Sequence, residues 1–128
     1  MKYLLDTHTL LWYTLDESPL SSTACELIIN QNNEILISPV SYWEIAIKIS
    51  IGKLTLHQPY KNFIDVCLNQ YKFKILPVTP EHTDAVITLP FYHTDPFDRL
   101  LIAQAIVENI PIISVDIILD QYDVQRIW

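Results

Sequence analysis

At 128 residues, half of them hydrophobic and 18% charged, the chain can bury roughly two-thirds of the surface it would expose unfolded, which excludes a disordered tail. Its net charge of −7 excludes a nonspecific duplex-binding module, because binding by counterion release needs clustered Lys and Arg. The single glycine, Gly52, leaves no material for a phosphate-cradling loop or a glycine-rich dinucleotide turn.

In chain order, β-branched and apolar runs predict short strands over residues 3–5, 35–37, 73–76, 112–115 and 124–127. Helical patterns occupy residues 10–15, 21–31, 39–51, 60–71, 81–89 and 96–109, and such alternation predicts a mostly parallel sheet covered by helices. No linker or repeat divides the chain, so residues 1–128 are expected to form a single domain. Gly52 stands where the helix from Pro39 should stop.

The opening Met1-Lys2-Tyr3-Leu4-Leu5 is interrupted by Asp6-Thr7-His8 before a secretion-signal core is complete. No stretch approaches the ~20 uncharged residues of a membrane helix, so a cytoplasmic protein is expected. Cys25 and Cys67 lack zinc-ligand spacing and read as buried thiols. His93, near Asp95, is the one histidine in a suggestive cluster, and it reads as a loop residue.

Four carboxylates occupy element ends or first turns: Asp6, Glu44, Asp98 and Asp116. Ligands of open parallel sheets bind outside the carboxyl ends of strands, where Asp6 and Asp116 fall, although either aspartate alone also reads as a helix N-cap. Laid out at about 100° per residue, the Pro39 helix carries an apolar stripe of Val40, Trp43, Ile47 and Ile51, with Ser41, Glu44 and Lys48 beside it. Glu44 is thus expected to border the core, or to pair with Lys48 at helical spacing. Tyr42, Ile45 and Ile49 form a second apolar face, expected to meet another helix or another chain.

Asp95 and Pro96 have the pattern of an N-cap and first helical residue, which puts Asp98 in the first turn on the face of Leu101, Ile102 and Ala105. An inward aspartate needs a partner. If the four carboxylates met at about 5 Å, each pair would repel by about 3 kcal/mol at an effective dielectric of about 20. A cation or a proton must relieve that repulsion, and all-oxygen ligation favours Mg²⁺ or Mn²⁺.

These segments resemble the PIN-domain nucleases, particularly VapC-type toxins of toxin–antitoxin pairs. The resemblance is carried by Leu4-Leu5-Asp6-Thr7-His8, by Ser41-Tyr42-Trp43-Glu44-Ile45-Ala46-Ile47-Lys48 with Gly52-Lys53-Leu54, and by the segment His93-Thr94-Asp95-Pro96-Phe97-Asp98-Arg99-Leu100-Leu101-Ile102-Ala103-Gln104-Ala105. Ser114-Val115-Asp116 and the ending Tyr122-Asp123-Val124-Gln125-Arg126-Ile127-Trp128 complete it. It implies a PIN-like three-layer α/β fold, with a short, mostly parallel five-stranded sheet flanked by helices. It also implies Mg²⁺-dependent endoribonuclease activity, with the acidic quartet at Asp6, Glu44, Asp98 and Asp116, and control by a small cognate antitoxin.

Two departures from the pattern are visible. Asp95 offers a second carboxylate near Asp98, and Ile117-Ile118-Leu119 after Asp116 is unusually apolar. Thr7 and Ser114 are candidates to hydrogen-bond the ligands, or to cap helices. Arg99 is a candidate phosphate contact or ion-pair partner, while Lys48 and Lys53 could form a small basic rim for RNA. A homodimer or higher oligomer with antitoxin is expected. The alternative readings are a noncatalytic interaction module on the same scaffold and a small-molecule phosphatase, the latter disfavoured because Asp6-Thr7-His8 lacks an Asp-x-Asp pattern.

Overall fold

A computed structural model describes residues 1–17 and 19–128. Its elements, in chain order, are β1 (Lys2–Leu5), α1 (Thr7–Thr14), α2 (Ser22–Ile29), β2 (Glu34–Ile37), α3 (Pro39–Ser50), α4 (Tyr60–Asp65), β3 (Lys74–Ile75), α5 (Pro80–Ile87), α6 (Pro96–Glu108), β4 (Ile112–Ile113) and β5 (Arg126–Ile127). The sheet runs β3-β2-β1-β4-β5, and each of its four strand pairings is parallel. The α/β fold expected from the sequence is therefore present.

Successive strand side chains point to opposite faces, so the apolar strands feed two cores. Tyr3, Leu5, Ile35 and Ile37 pack with Leu10 and Leu11 of α1, Ala24 and Ile28 of α2, and Phe63 of α4. Leu4, Leu36 and Ile112 pack on the other face with Leu101, Ile102 and Ala105 of α6. Both faces being covered explains why β1 and β2 lack the polar alternation of a half-exposed sheet.

Local chemistry sets the element ends. α1 starts earlier than residue 10, because Asp6 Oδ1 accepts the Thr9 backbone N–H at 2.8 Å and starts the helix at Thr7. The expected helix over residues 60–71 divides: α4 passes into a π-helical turn at Val66–Gln70, where Tyr71 N–H reaches back five residues to Val66 O at 3.0 Å. Gly52 does end α3, in the left-handed region at φ 76°, with Lys53 N–H closing onto Lys48 O at 2.8 Å. The apolar run after Asp116 becomes a 3₁₀ turn, Ile117–Gln121, that seats Leu119 in the second core.

The two faces of α3 are the reverse of the sequence expectation. Ile45 is fully buried, with Tyr42 and Ile49 packed against the first core, while Trp43 and Ile51 are 60% and 58% exposed. The wheel held two apolar stripes, and the helix turned its less bulky one, centred on Ile45, toward α1 and β2. Val40 alone of the other stripe is buried, in the second core.

The helix orientation predicts unequal costs for two truncations. Ile45→Ala should destabilise the fold by about 2–5 kcal/mol, whereas Trp43→Ala should cost under about 1 kcal/mol, as measured by urea unfolding of the isolated chain.

Candidate acidic site

A parallel sheet brings every strand's carboxyl end to one edge, and there the chain leaves β1 at Asp6, β2 at Ser38 and β4 at Ser114. Asp6 is nearly buried. Burial pushes its carboxyl above the ordinary range, while hydrogen bonds from Ser114 and Thr9 pull it back. The Ser114 hydroxyl also accepts the Asp116 backbone N–H at 3.0 Å, so one side chain ties Asp6 to Asp116. Asp116 in turn caps the 3₁₀ turn, its Oδ1 accepting from Ile118 N at 3.0 Å.

Glu44 reaches the same edge from α3. It is only 8% exposed, and its Oε2 lies 3.4 Å from Lys48 Nζ. Among the described residues, its Oε1 is the buried side-chain oxygen without a hydrogen-bond partner. A shielded carboxylate oxygen in that state carries a desolvation penalty, which a cation would remove. Thr7 Oγ1 donates to Ser41 Oγ at 3.1 Å and so joins the start of α1 to the first turn of α3.

Asp98 comes from the first turn of α6. Its carboxyl is pushed up to about 7, chiefly by burial and next by Asp95, with His93 opposing and Glu44 and Asp6 adding to the rise. Asp95 is the α6 cap, its Oδ1 accepting from Phe97 N at 2.8 Å and Asp98 N at 3.2 Å. The structure thus brings Asp6, Glu44, Asp98 and Asp116 to one edge and uses Asp95 as the expected cap.

His93 lies in the loop before α6, as its reading as a loop residue had it, and it also joins Asp98 and Asp116, which that reading did not foresee. Its Nε2 lies 2.8 Å from Asp116 Oδ2 and 3.2 Å from Asp98 Oδ2. The signal in the sequence was its position five residues before Asp98, but only the fold adds Asp116. A second omission is the pair Ser38 and Gln104, both fully buried. Ser38 donates to Gln104 Oε1 at 2.6 Å, while the Gln104 amide donates to Leu76 O at 3.2 Å, locking β2 and the end of β3 to α6.

Arg99, considered for phosphate contact, has a different use. Its guanidinium donates to the carbonyls of Pro90, His93, Val86 and Leu89 at 2.9–3.2 Å and lies 3.9 Å from the Phe91 ring centroid. Only 5% of the residue is exposed, so it fastens the α5–α6 connection, which carries His93. Of the two cysteines expected to be buried, Cys67 is and Cys25 is only half-buried; burial pushes the Cys67 thiol up to about 12 and keeps it a poor nucleophile.

Two outcomes follow from these contacts. Arg99→Lys, with one compact ammonium for four carbonyls, should lower unfolding free energy by about 2–4 kcal/mol in denaturant titration. For Asp98, a folded carboxyl that holds its proton to about pH 7 costs stability once the pH passes the unfolded value near 3.8, and the loss is complete above the folded value. Metal-free protein should therefore lose stability between these limits. Asp98→Asn should recover on the order of 1 kcal/mol at pH 8, allowing for solvent screening of the partly exposed carboxylate, and nothing at pH 3, in melts with chelator present.

The PIN domain family model matches residues 3–125. No curated protein matches the sequence. Among solved structures, the chain is similar to VapBC2 from Rickettsia felis, bound to a DNA fragment from their promoter, with a TM-score of 0.75 and 17% identity over 99% of this chain and 98% of that one. It is similar to FitAcB from Neisseria gonorrhoeae (TM-score 0.68, 18% identity, 98% and 96% covered). VapBC-1 from nontypeable Haemophilus influenzae is a third (TM-score 0.66, 21% identity, 99% and 97% covered). The fold, its acidic edge and a family match that spans nearly the whole sequence agree: the chain belongs to the PIN-domain family.

Proposed function

We propose that this chain is a divalent-metal-dependent endoribonuclease that acts in the cytoplasm as the toxin of a toxin–antitoxin pair. The observation that carries the reading is the Glu44 Oε1 left, among the described residues, without a hydrogen-bond partner, near an Asp98 carboxyl that burial, and then the charges of Asp95, Glu44 and Asp6, push up. That arrangement is costly as it stands, and an oxygen-preferring cation removes the cost. Mg²⁺ is the first choice and Mn²⁺ the second.

In this mechanism Asp6, Glu44, Asp98 and Asp116 hold the metal, directly or through water. Bound there, the metal supplies charge neutralisation at the scissile phosphate and acidifies an attacking water. The chain's own contribution is to hold the oxygens still. Asp6 is fixed by Thr9 N–H and Ser114, Asp116 by Ile118 N–H and His93, and Glu44 by its helix and Lys48. Lys48 is half-buried against Glu44 and, with exposed Lys53, is the cationic contribution we assign to RNA on this acidic protein.

The partner reading is supported by likeness in fold to VapBC and FitAcB. A small antitoxin and a second copy of the chain are the partners we assign. The exposed apolar strip of Trp43 and Ile51, with Phe97 5.3 Å from Trp43 in an edge-on arrangement, replaces the Tyr42 face as the surface available to them. No helix among the described residues is long and apolar enough to cross a membrane.

Purified chain should cleave RNA with Mg²⁺ or Mn²⁺ and not with chelator. Asp6→Asn should lower the rate by roughly 10²–10³-fold, the range for loss of one preorganised electrostatic group, with its melting transition intact. Cleavage at the wild-type rate in a folded Asp6→Asn protein would sink the assignment, and calorimetry without divalent-ion binding would favour the interaction-module reading instead.

A further inference from the structure

We propose that His93 acts in this site as a fixed hydrogen-bond donor to Asp116, close beside Asp98, a positioning residue and not a metal ligand. The assignment rests on the metal-site reading above and deepens it. His93, Asp98 and Asp116 each offer a ligand atom within 4.8 Å of the others. That spacing by itself would also suit a mixed nitrogen and oxygen centre.

The far ring nitrogen decides between the two roles. The Asp95 backbone N–H donates to His93 Nδ1 at 3.3 Å. A backbone N–H has only a hydrogen to give, so Nδ1 presents its lone pair and the ring's hydrogen resides on Nε2. Nε2 then has no lone pair for a cation. Its hydrogen is directed at Asp116 Oδ2, 2.8 Å away, with Asp98 Oδ2 at 3.2 Å on the same side.

Ligation through Nε2 would require the hydrogen to move to Nδ1, where it would face the Asp95 N–H. Metal-bound histidines have the opposite polarity, handing their second N–H to an acceptor. The Asp95 N–H cannot turn away easily, because the Asp95 side chain caps α6 through Phe97 N and Asp98 N. The His93 backbone is held as well: its N–H donates to Tyr122 Oη at 2.7 Å, and its carbonyl accepts from Arg99 at 3.2 Å. The ring is therefore pinned at both nitrogens and at its main chain. It joins one carboxylate from α6 to one from the loop after β4.

The donor role also separates two substitutions. Gln can present an amide N–H in place of Nε2–H, whereas Ala leaves Asp116 without the donor and Asp98 without its polar neighbour. Since the backbone anchors do not involve the imidazole, both variants keep the loop attached.

The test is Mn²⁺ binding followed by electron paramagnetic resonance on wild type, His93→Ala and His93→Gln, with pulsed measurement of nitrogen coupling to the bound ion. Wild type should bind Mn²⁺ without coupling from a directly bonded nitrogen. Affinity should fall roughly 10–100-fold in His93→Ala, the range for loss of a ligand's hydrogen-bond partner, and stay within a few-fold of wild type in His93→Gln. Directly bonded nitrogen in wild type would overturn the donor assignment while leaving the metal site standing, and so would unchanged affinity in His93→Ala. Absence of Mn²⁺ binding by wild type would overturn the metal-site reading itself, and this assignment with it. The wild-type nitrogen measurement decides the point even if a variant fails to fold.

Discussion

β1 is paired on both edges, with β2 and with β4, and its Tyr3, Leu4 and Leu5 are buried on both faces. A strand confined in this way cannot slip by one residue without exchanging every side chain between the two cores. The position of Asp6 is therefore set by hydrophobic packing rather than by its own interactions. Because the neighbouring strands are parallel, their carboxyl ends open on the same side, and Ser38 and Ser114 appear there with Asp6. Helix α3 then contributes Glu44 from its second turn and α6 contributes Asp98 from its first.

The packing that fixes these groups also makes their charges costly. Asp6 and Asp98 are both pushed above the ordinary carboxylate range, each chiefly by burial. The protein offsets part of this with hydrogen bonds of single, definite purpose: Thr9 N–H and Ser114 on Asp6, Ile118 N–H and His93 on Asp116. Among the described residues, Glu44 Oε1 receives no such bond. Stability is given up at this edge, a pattern common to functional sites. Caps and ligand candidates are here the same residues, since an aspartate at an N-cap can accept from the backbone and still present an oxygen to the edge.

Sequence patterns read clearly where one physical preference acts alone. Asp95-Pro96 became the cap and first residue of α6, and Gly52 ended α3, because each position has steric and hydrogen-bonding needs that those residues satisfy. The Pro39 helix was different. Its two apolar stripes are comparable on a wheel, and the choice between them depends on what α1, β2 and α4 offer, so Ile45 went inward and Trp43 outward. Arg99 was unreadable for a related reason. Its four carbonyl partners lie 6 to 13 residues away in the chain and converge only when α5, its following loop and α6 have packed.

By itself the sequence determined the alternation of strands and helices, the parallel sheet that alternation requires, and the four acidic positions that mark the PIN-domain pattern. These follow from local periodicity, capping chemistry and the order of short motifs, all of which are properties of neighbouring residues. Only the tertiary structure decided which face of α3 is core, that Arg99 closes a loop, and that His93 stands between Asp98 and Asp116. Those outcomes depend on contacts between segments that only the packed fold brings together, and hydrogen-bond polarity at a single ring nitrogen has no counterpart in a sequence pattern.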